Sequence, residues 1–298
     1  MRVDPLYVTN LVSALDQTQG REQTLTGELA SGIRFNSIGD DPVSAGRNVL
    51  LLNQIQRDDS FTQSASLVTG QLQVADSALG SIVAQLTQAI SLATSANNGT
   101  MNASDVRSIG AQISGILSEV ESLANSSYQG QYIFAGGQTT TAPFTTSTTS
   151  SPAVTTYTGD SDVNYLHTPN GQKIQLNVPG DQIFLGSTSV FGVLNNLVAD
   201  YASGNVNLAQ AALDTQALTS ALTIVSQQRV TIDNSMTQLT AAAGAITTEK
   251  TQLAAAQTEL MQADLATVAT QLSLSKTQET ALESVIAQLG SGSLFDEL

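Results

Sequence analysis

The feature that most constrains this 298-residue chain is a regular spacing of apolar residues near its C-terminal end. Between Thr258 and Leu289, apolar side chains recur at alternating steps of four and three residues, and no proline interrupts them. A period of about 3.5 residues keeps one narrow face of a helix turned toward a neighbour. The spacing therefore predicts a long helix that needs a partner. Its stripe is Met261, Leu265, Val268, Leu272, Leu282, Ile286 and Leu289, with Ser275 and Glu279 at polar positions.

The N-terminal end repeats this spacing and predicts a first helix over about residues 6–31. Its stripe is Val8, Leu11, Leu15, Leu25 and Leu29, with Thr18 and Glu22 at polar positions. Two partners for the C-terminal stripe follow from this pattern. One is the first helix of the same chain, in an intramolecular coiled coil, and the other is a helix of another molecule. The residues alone leave both open.

The segment after the first helix predicts a sharp corner between two helices. Gly32, within Ser31-Gly32-Ile33-Arg34, is suited to a left-handed helix end. Asp41 can cap the next helix and Pro42 fits its first position, while Asp40 adds negative charge at the same end. Arg34 either forms an ion pair with Asp40 and Asp41 or is a solvated side chain beside a capped helix.

Three further apolar stripes predict long helices in the middle of the chain. A turn at 97–99 separates the first two, with Asn102 or Ser104 as the cap of the second, and Gly244 is a plausible break before the C-terminal helix. The stripes are Val68, Leu72, Ala75, Leu79, Ile82, Leu86, Ala89 and Ala93; Val106, Ile109, Ile113, Ile116, Val120 and Leu123; and Leu218, Leu222, Val225, Arg229, Ile232, Met236 and Leu239.

Between these helices the sequence changes to a pattern typical of β structure. A run at 132–134 ends at Gly136, and Thr139–Pro152 is so rich in Thr and Ser that we expect a flexible surface segment. A two-residue turn at Asn170-Gly171 predicts a hairpin. Its register would place Val163, Tyr165 and His167 opposite Val178, Leu176 and Ile174.

These elements predict a mainly α protein, an elongated helical bundle or coiled coil built from both chain ends with a small inserted β domain. Residues 1–45 and 250–298 would form a terminal coiled-coil domain that is loose in the monomer. Residues 46–130 and 189–249 would form a helical bundle domain, and residues 131–188 the β domain.

The composition excludes several classes of function. A net charge of −15 argues against nucleic acid as a partner, because binding phosphates needs clustered Lys and Arg. The chain has no Cys and a single His, His167, so neither a Cys zinc site nor a nucleophilic triad is expected. Asp160 and Asp162 favour turn chemistry over a calcium site. We expect no catalytic, cofactor or metal site, no membrane span, and export without a cleaved signal peptide.

Several motifs in register resemble the flagellin superfamily and, within it, the hook-associated proteins that join hook to filament. They are the corner Ser31, Gly32, Arg34, Asp40, Asp41 and Pro42; the entry to the β domain at Tyr132, Phe134, Gly136, Tyr157, Gly159 and Asp160; Gly171 through Gly180 to Phe184; Ala263-Asp264-Leu265-Ala266; and Ser293-Leu294-Phe295-Asp296. Flagellins usually have Ala at the position of Pro42, so Pro42 favours a junction protein. The ending Asp296-Glu297-Leu298 departs from the family pattern.

The resemblance implies a flagellar protein that is exported through the flagellar secretion channel and assembles as a ring. Its implied partners are the other hook-associated junction protein, flagellin, further copies of itself, and an export chaperone at the C-terminal helix. It also favours the intermolecular role for the terminal stripes, so we expect Leu11, Leu15, Leu25, Leu29, Leu265, Val268, Leu272, Leu282, Ile286 and Leu289 to pack between subunits.

Two other functions fit parts of the sequence. A flagellin-like filament subunit would share the same terminal stripes. A helical-hairpin signalling or adaptor protein would share the Gln- and Thr-rich heptads, but that class needs a membrane span or a sensor module. An enzyme with a pocket in the β domain has no convergent polar residues to support it.

Overall fold

The structure is a computed structural model that describes residues 5–35, 37, 39–186 and 188–292. Within these ranges it is mainly helical with a few short antiparallel strand pairs, which confirms the predicted fold class. No described helix is both long and apolar enough to cross a membrane. The helices are α1 (Pro5–Ser31), α2 (Pro42–Ala96), α3 (Ala103–Ala124), α4 (Gly180–Phe184), α5 (Val190–Ala202), α6 (Leu208–Met261) and α7 (Leu265–Gly292).

The ends of the first three helices follow the local signals in the sequence. Gly32 follows α1 with φ of 70°, a left-handed conformation that costs glycine little. The Ser44 amide donates to Asp41 Oδ1 over 3.0 Å, so Asp41 caps α2. Asn102 caps α3 through a bond of 2.9 Å from the Asp105 amide. The predicted caps and the predicted bounds of α1 are confirmed.

The chain divides into two compact units. The terminal unit comprises Met1–Gln56 and Glu249–Leu298, and the central unit comprises Arg57–Thr248. Helices α2 and α6 each contribute residues to both units.

The central unit contains a large apolar core built from the three predicted stripes. Ile82, Leu86 and Ile113 are completely buried, as are Leu218 and Val225. This confirms that the stripes of α2, α3 and α6 face the core.

Arg229 is the charged member of the α6 stripe. Its Nε lies 2.5 Å from Asp76 Oδ1 of α2, and hydrogen bonding to Asp76 raises the pKa of the guanidinium. Asp76 thus provides the partner that keeps a positive charge within an otherwise apolar stripe.

The predicted C-terminal helix is wrong in its N-terminal bounds. Thr258–Leu289 is not one helix, because α6 ends at Met261 and α7 starts at Leu265. Gly244 is not a break, since α6 continues through it; a single glycine costs a long helix only about 1 kcal/mol relative to alanine. The break lies at 262–264, where Asp264 caps α7 through bonds from the amides of Ala266 and Thr267.

Among the described residues of the central unit, six short strands form three separate two-stranded antiparallel sheets. They are β1 (Ser127–Tyr128) with β2 (Gln131–Tyr132), β3 (Phe144–Ser147) with β4 (Val154–Tyr157), and β5 (Tyr165–His167) with β6 (Lys173–Gln175). The expectation that Thr139–Pro152 is only a flexible segment is wrong, because it contains β3. Cross-strand hydroxyl pairs join Thr145 to Thr156 at 3.0 Å and Thr146 to Thr155 at 2.7 Å, and threonine suits such pairs.

The predicted hairpin forms, but its register is wrong by one residue. Leu166 pairs with Ile174 and His167 with Lys173. The turn has a longer loop than predicted: the Gly171 amide donates to the Thr168 carbonyl, and Gly171 has φ of 85°. A three-residue loop with a left-handed glycine replaces the two-residue turn. The shift turns Ile174 into the core and leaves His167 exposed.

The solvent-facing sides of the helices carry few charges and many hydroxyls. These hydroxyls donate hydrogen bonds to the backbone carbonyl four residues earlier. Thr69 donates to Ala65 and Thr87 to Val83, both over 2.7 Å. Similar bonds occur along α1, α6 and α7. The helix surface is therefore polar without depending on ion pairs.

The core assignment predicts a large contrast between two leucines of α2. Leu86 is fully buried, whereas Leu67 is 49% exposed. Leu86→Ala should lower the free energy of unfolding by about 2–5 kcal/mol, since it leaves a cavity in the core. Leu67→Ala should change it by less than about 0.5 kcal/mol. Urea unfolding followed by circular dichroism measures both, and equal losses would contradict the assignment.

Candidate functional site

The residues of the predicted corner meet the C-terminal break in the terminal unit. Ile33 forms an antiparallel bridge with Gln262. The Arg34 amide donates to the Met261 carbonyl over 2.8 Å, and the Ala263 amide donates to the Gly32 carbonyl over 2.9 Å. Two motifs more than 200 residues apart are therefore joined by backbone hydrogen bonds.

The side chain of Arg34 forms the ion pair that the sequence left open. Its Nη2 lies 3.0 Å from Asp41 Oδ2 and 2.7 Å from Ser44 Oγ. The Ser44 side chain and amide, with the nearby Arg34 charge, hold the pKa of Asp41 below its ordinary value. Asp40 does not take part in this pair; it accepts a bond from the Ser37 amide over 2.9 Å.

Asp264 caps the start of α7 as Asp41 caps the start of α2. Thr267 donates its hydroxyl to Asp264 Oδ2 over 2.8 Å and its amide to Oδ1, which lowers the pKa of Asp264. Sequence reasoning missed the contributions of Ser44 and Thr267. The signal that was present is the aspartate itself, because Asp is a preferred residue at a helix N-cap.

From this corner α1 and α7 run antiparallel as a pair. Leu25, Ala263 and Val268 form a small buried cluster, and Leu272 packs against it. Farther along, Gln19 Nε2 donates to Glu279 Oε1 over 3.0 Å. The intramolecular partner that the sequence left open is therefore present in the single chain.

The terminal stripes are only partly covered by this pairing. Leu25 and Val268 are buried, whereas Leu11, Leu15, Leu272, Leu282 and Ile286 are half-buried. Leu29 and Leu265 are exposed, at 40% and 48%. The side chain of Leu289 and the motif at 293–296 lie outside the described part of the chain.

The predicted entry residues of the β region also come together, in the central unit. The Tyr157 hydroxyl donates to the carbonyls of Phe134 and Asp160, at 3.0 and 2.8 Å. Asp160 Oδ1 accepts from the Gly137 amide over 2.6 Å. Gly136 has φ of 66°, and a side chain there would collide with Asp160.

The same segment surrounds a group of packed aromatic rings. Phe144 lies between Phe184, Phe191 and Tyr157 with ring centroids 5.0–5.2 Å apart. A side chain on Gly159 would collide with the Tyr157 ring. Tyr132, by contrast, is half-buried in β2, where it pairs with Ser127. This arrangement is a packed structural junction, and within the described ranges no group of three or more His, Cys, Asp or Glu residues could hold a metal.

Comparison with known proteins shows which proteins this chain is similar to. Residues 7–139 match the bacterial flagellin N-terminal helical region. This part of the chain includes α1, the corner, and the start of the β region. The predicted resemblance to the flagellin superfamily is confirmed.

The more specific similarity is to flagellar hook-associated protein 3. The chain is 28% identical to that protein of Salmonella typhimurium over 47% of its length, covering 44% of the relative. It is 27% identical to the Escherichia coli protein over 54% of its length, covering 50% of that relative. The chain thus spans about half the length of the curated relatives it matches. The structure of hook-associated protein 3 from Legionella pneumophila has the same fold, with a TM-score of 0.63 at 13% identity, over 71% of this chain and 98% of that one.

The geometry at the corner predicts a specific order among variants of Asp41. Asp41→Asn keeps a capping oxygen but loses the ion pair, whereas Asp41→Ala loses both. We expect the helicity of the terminal unit near neutral pH to fall in the order wild type, Asp41→Asn, Asp41→Ala, and the advantage of the wild type to shrink in acid. Because the pKa of Asp41 is lowered, its contribution is present above the ordinary value of 3.8 and is lost as the pH falls below it. Circular dichroism across an acid titration measures the helicity of the three proteins. Identical titration curves for the wild type and both variants would contradict the prediction.

The surroundings of Tyr157 predict that its phenol ionises at a higher pH than a free tyrosine. Burial, followed by the charges of Asp181 and Asp160, raises its pKa from 10 to about 12, and Tyr201 is raised to about 12 by burial and by Asp200 and Asp214. Because the folded pKa exceeds the unfolded one, stability should fall as the pH rises from 10 towards 12. Ultraviolet titration should show two late phenols in the wild type and one in Tyr157→Phe. Titration of all six tyrosines near their ordinary value, in folded protein, would contradict the packing.

Proposed function

We propose that this chain is a structural adaptor of the bacterial flagellum that joins the hook to the filament and has no catalytic activity. The observation that carries the proposal is a contrast between the two units. The central unit buries its apolar residues in one large core, whereas the described part of the terminal unit leaves most of its large apolar residues partly or fully exposed.

The contrast is visible in the residues themselves. Five hydrophobic residues are buried in the described part of the terminal unit: Leu25, Phe35, Ala45, Ala263 and Val268. Large apolar residues exposed in the same unit are Tyr7, Val12, Leu29, Val43, Val49, Leu50, Leu52, Leu265, Leu274 and Val285. A surface of this kind is typical of a region that packs against other molecules, and association stabilises a unit with so small a core of its own.

The proposed partners are those that the resemblance implies, and the exposed apolar surface of the terminal unit supports them. The terminal stripes, including Leu11, Leu15, Leu282 and Ile286, would pack against copies of this chain in a ring. The other hook-associated junction protein would lie on the hook side and flagellin on the filament side. A chaperone would cover α7 before export, and the assembled protein would act outside the cell as part of the flagellum.

A second candidate is a filament subunit. The family match favours it to a degree, since the matched region is one that flagellins carry at their N-terminal end. The similarity to hook-associated protein 3 favours the junction. The two functions differ in what a cell lacking the chain would make.

A deletion strain distinguishes the two candidates. Without a junction protein, cells should build hooks and release unassembled flagellin into the medium, because the first flagellins have nothing to attach to. Electron microscopy of the cell surface and immunoblots of the medium measure this. Normal filaments in the deletion strain would exclude the junction role, and loss of all filament protein would indicate a flagellin.

A matched pair of variants tests whether the terminal unit provides the packing surface. Leu265 and Leu67 have nearly equal exposure, at 48% and 49%, but lie in different units. If assembly buries the exposed half of Leu265, Leu265→Gln should forfeit about half of the 1.5–3 kcal/mol of a fully buried leucine, or roughly four- to twelvefold in association. Leu67→Gln should assemble normally. Both are measured as hook-bound protein in the complemented deletion strain, with circular dichroism to check folding, and equal assembly by the two would contradict the proposal.

A further inference from the structure

A polar layer interrupts the apolar contact between α1 and α7. Glu22 of α1 and Ser275 and Glu279 of α7 occupy the positions where the two stripes change from apolar to polar. Ser275 is 2% exposed, and Glu22 and Glu279 are half-buried. A polar layer of this kind weakens a helix pair relative to an apolar one.

Two atoms of this layer are hidden from solvent without a hydrogen-bond partner among the described residues: Glu22 Oε1 and Ser275 Oγ. An ionised carboxylate only accepts hydrogen bonds, so Glu22 cannot pair with the carboxylate of Glu279 unless one of the two carries a proton. Leaving a buried oxygen unpaired is costly in a helix interface.

The charges around Glu22 favour its protonated form. The α7 groups that act on it are Glu279 and Glu283, which oppose ionisation, and Lys276, which favours it. On α1, Arg21 lies beside Ser275 at the edge of the layer. Desolvation is the largest cause and the charge of Glu279 the next, and together they raise the pKa of Glu22 above its ordinary value of 4.5.

We propose that the layer of Glu22, Ser275 and Glu279 is a proton-dependent latch on the pairing of α1 with α7. When Glu22 is protonated, its hydroxyl donates to the Glu279 carboxylate and the pair closes. When Glu22 is ionised, two carboxylates face each other and the pair opens more often. Opening exposes the apolar stripes of α1 and α7 to another molecule. This property belongs to the isolated chain and does not depend on the flagellar role.

The direction of the pH effect follows from the raised pKa. The paired state binds the Glu22 proton more tightly than the separated helices do, so pairing strengthens as the pH falls and weakens as it rises through the raised pKa. Glu22→Gln keeps a donor for Glu279 and carries no charge. It should therefore hold the pair closed at every pH.

The absence of cysteine allows a direct measurement on the full chain. Spin labels at Ser13→Cys and Ala287→Cys, on the exposed faces of α1 and α7, report the distance between the helices beyond the layer. Distance distributions are recorded from about pH 8 to about pH 4, which includes the ordinary pKa of a glutamate, in the wild type, Glu22→Gln and Glu28→Gln. The last variant removes the same charge from α1 outside the layer.

The expected result is a long-distance population that shrinks about twofold or more on acidification in the wild type and in Glu28→Gln. In Glu22→Gln the long-distance population should be small at both the highest and the lowest pH. Ser275→Ala should have a smaller long-distance population than the wild type, because the substitution removes an unpaired hydroxyl. The population should still depend on pH, because the substitution removes no charge. A Glu22→Gln profile that matches the wild type would overturn the proposal, as would a distance distribution that does not change with pH.

Discussion

The terminal unit depends on a small set of backbone hydrogen bonds that join its two chain segments. The bonds between residues 32–34 and 261–263 fix where α1 stops, where α7 starts, and which parts of their stripes meet. Backbone pairing of this kind is independent of side-chain identity, so it sets register even where few apolar side chains are buried. The capping residues Asp41 and Asp264 then start a helix on each side of the junction. The residues of the corner motif are therefore explained by their structural role: they end α1, start α2, and hold the segment between α6 and α7.

Local signals in the sequence predicted most of the helical fold correctly. Caps and apolar periods act within a few residues, so Gly32, Asp41 and Asn102 could be assigned their roles without knowledge of the rest of the chain. The buried stripes of α2 and α3 were equally clear, because a period sustained over many turns has few alternatives. The meeting of Gly32 with Ala263 could not be predicted in this way, since it joins distant segments.

The errors in prediction have the same physical origin. The break at 262–264 interrupts an apolar stripe that continues on both sides of it. The backbone pairing with residues 32–34 and the Asp264 cap account for the break. The hairpin register depended on whether the loop held two residues or three, and burial of Ile174 selects the latter. A strand formed in the Thr-rich segment because Val154–Tyr157 is there to pair with it, and because Phe144 reaches the aromatic core. In each case a partner distant in sequence overrode the local preference.

The hydroxyl-rich helix surfaces have a consequence for the environment in which the chain can work. Dissolved ions screen interactions between exposed charges, but they have little effect on a threonine hydroxyl bonded to its own helix. Only 12% of the residues are charged, so most of the molecule's exterior offers little for salt to weaken. We therefore expect the helix content of the molecule to change little with salt concentration.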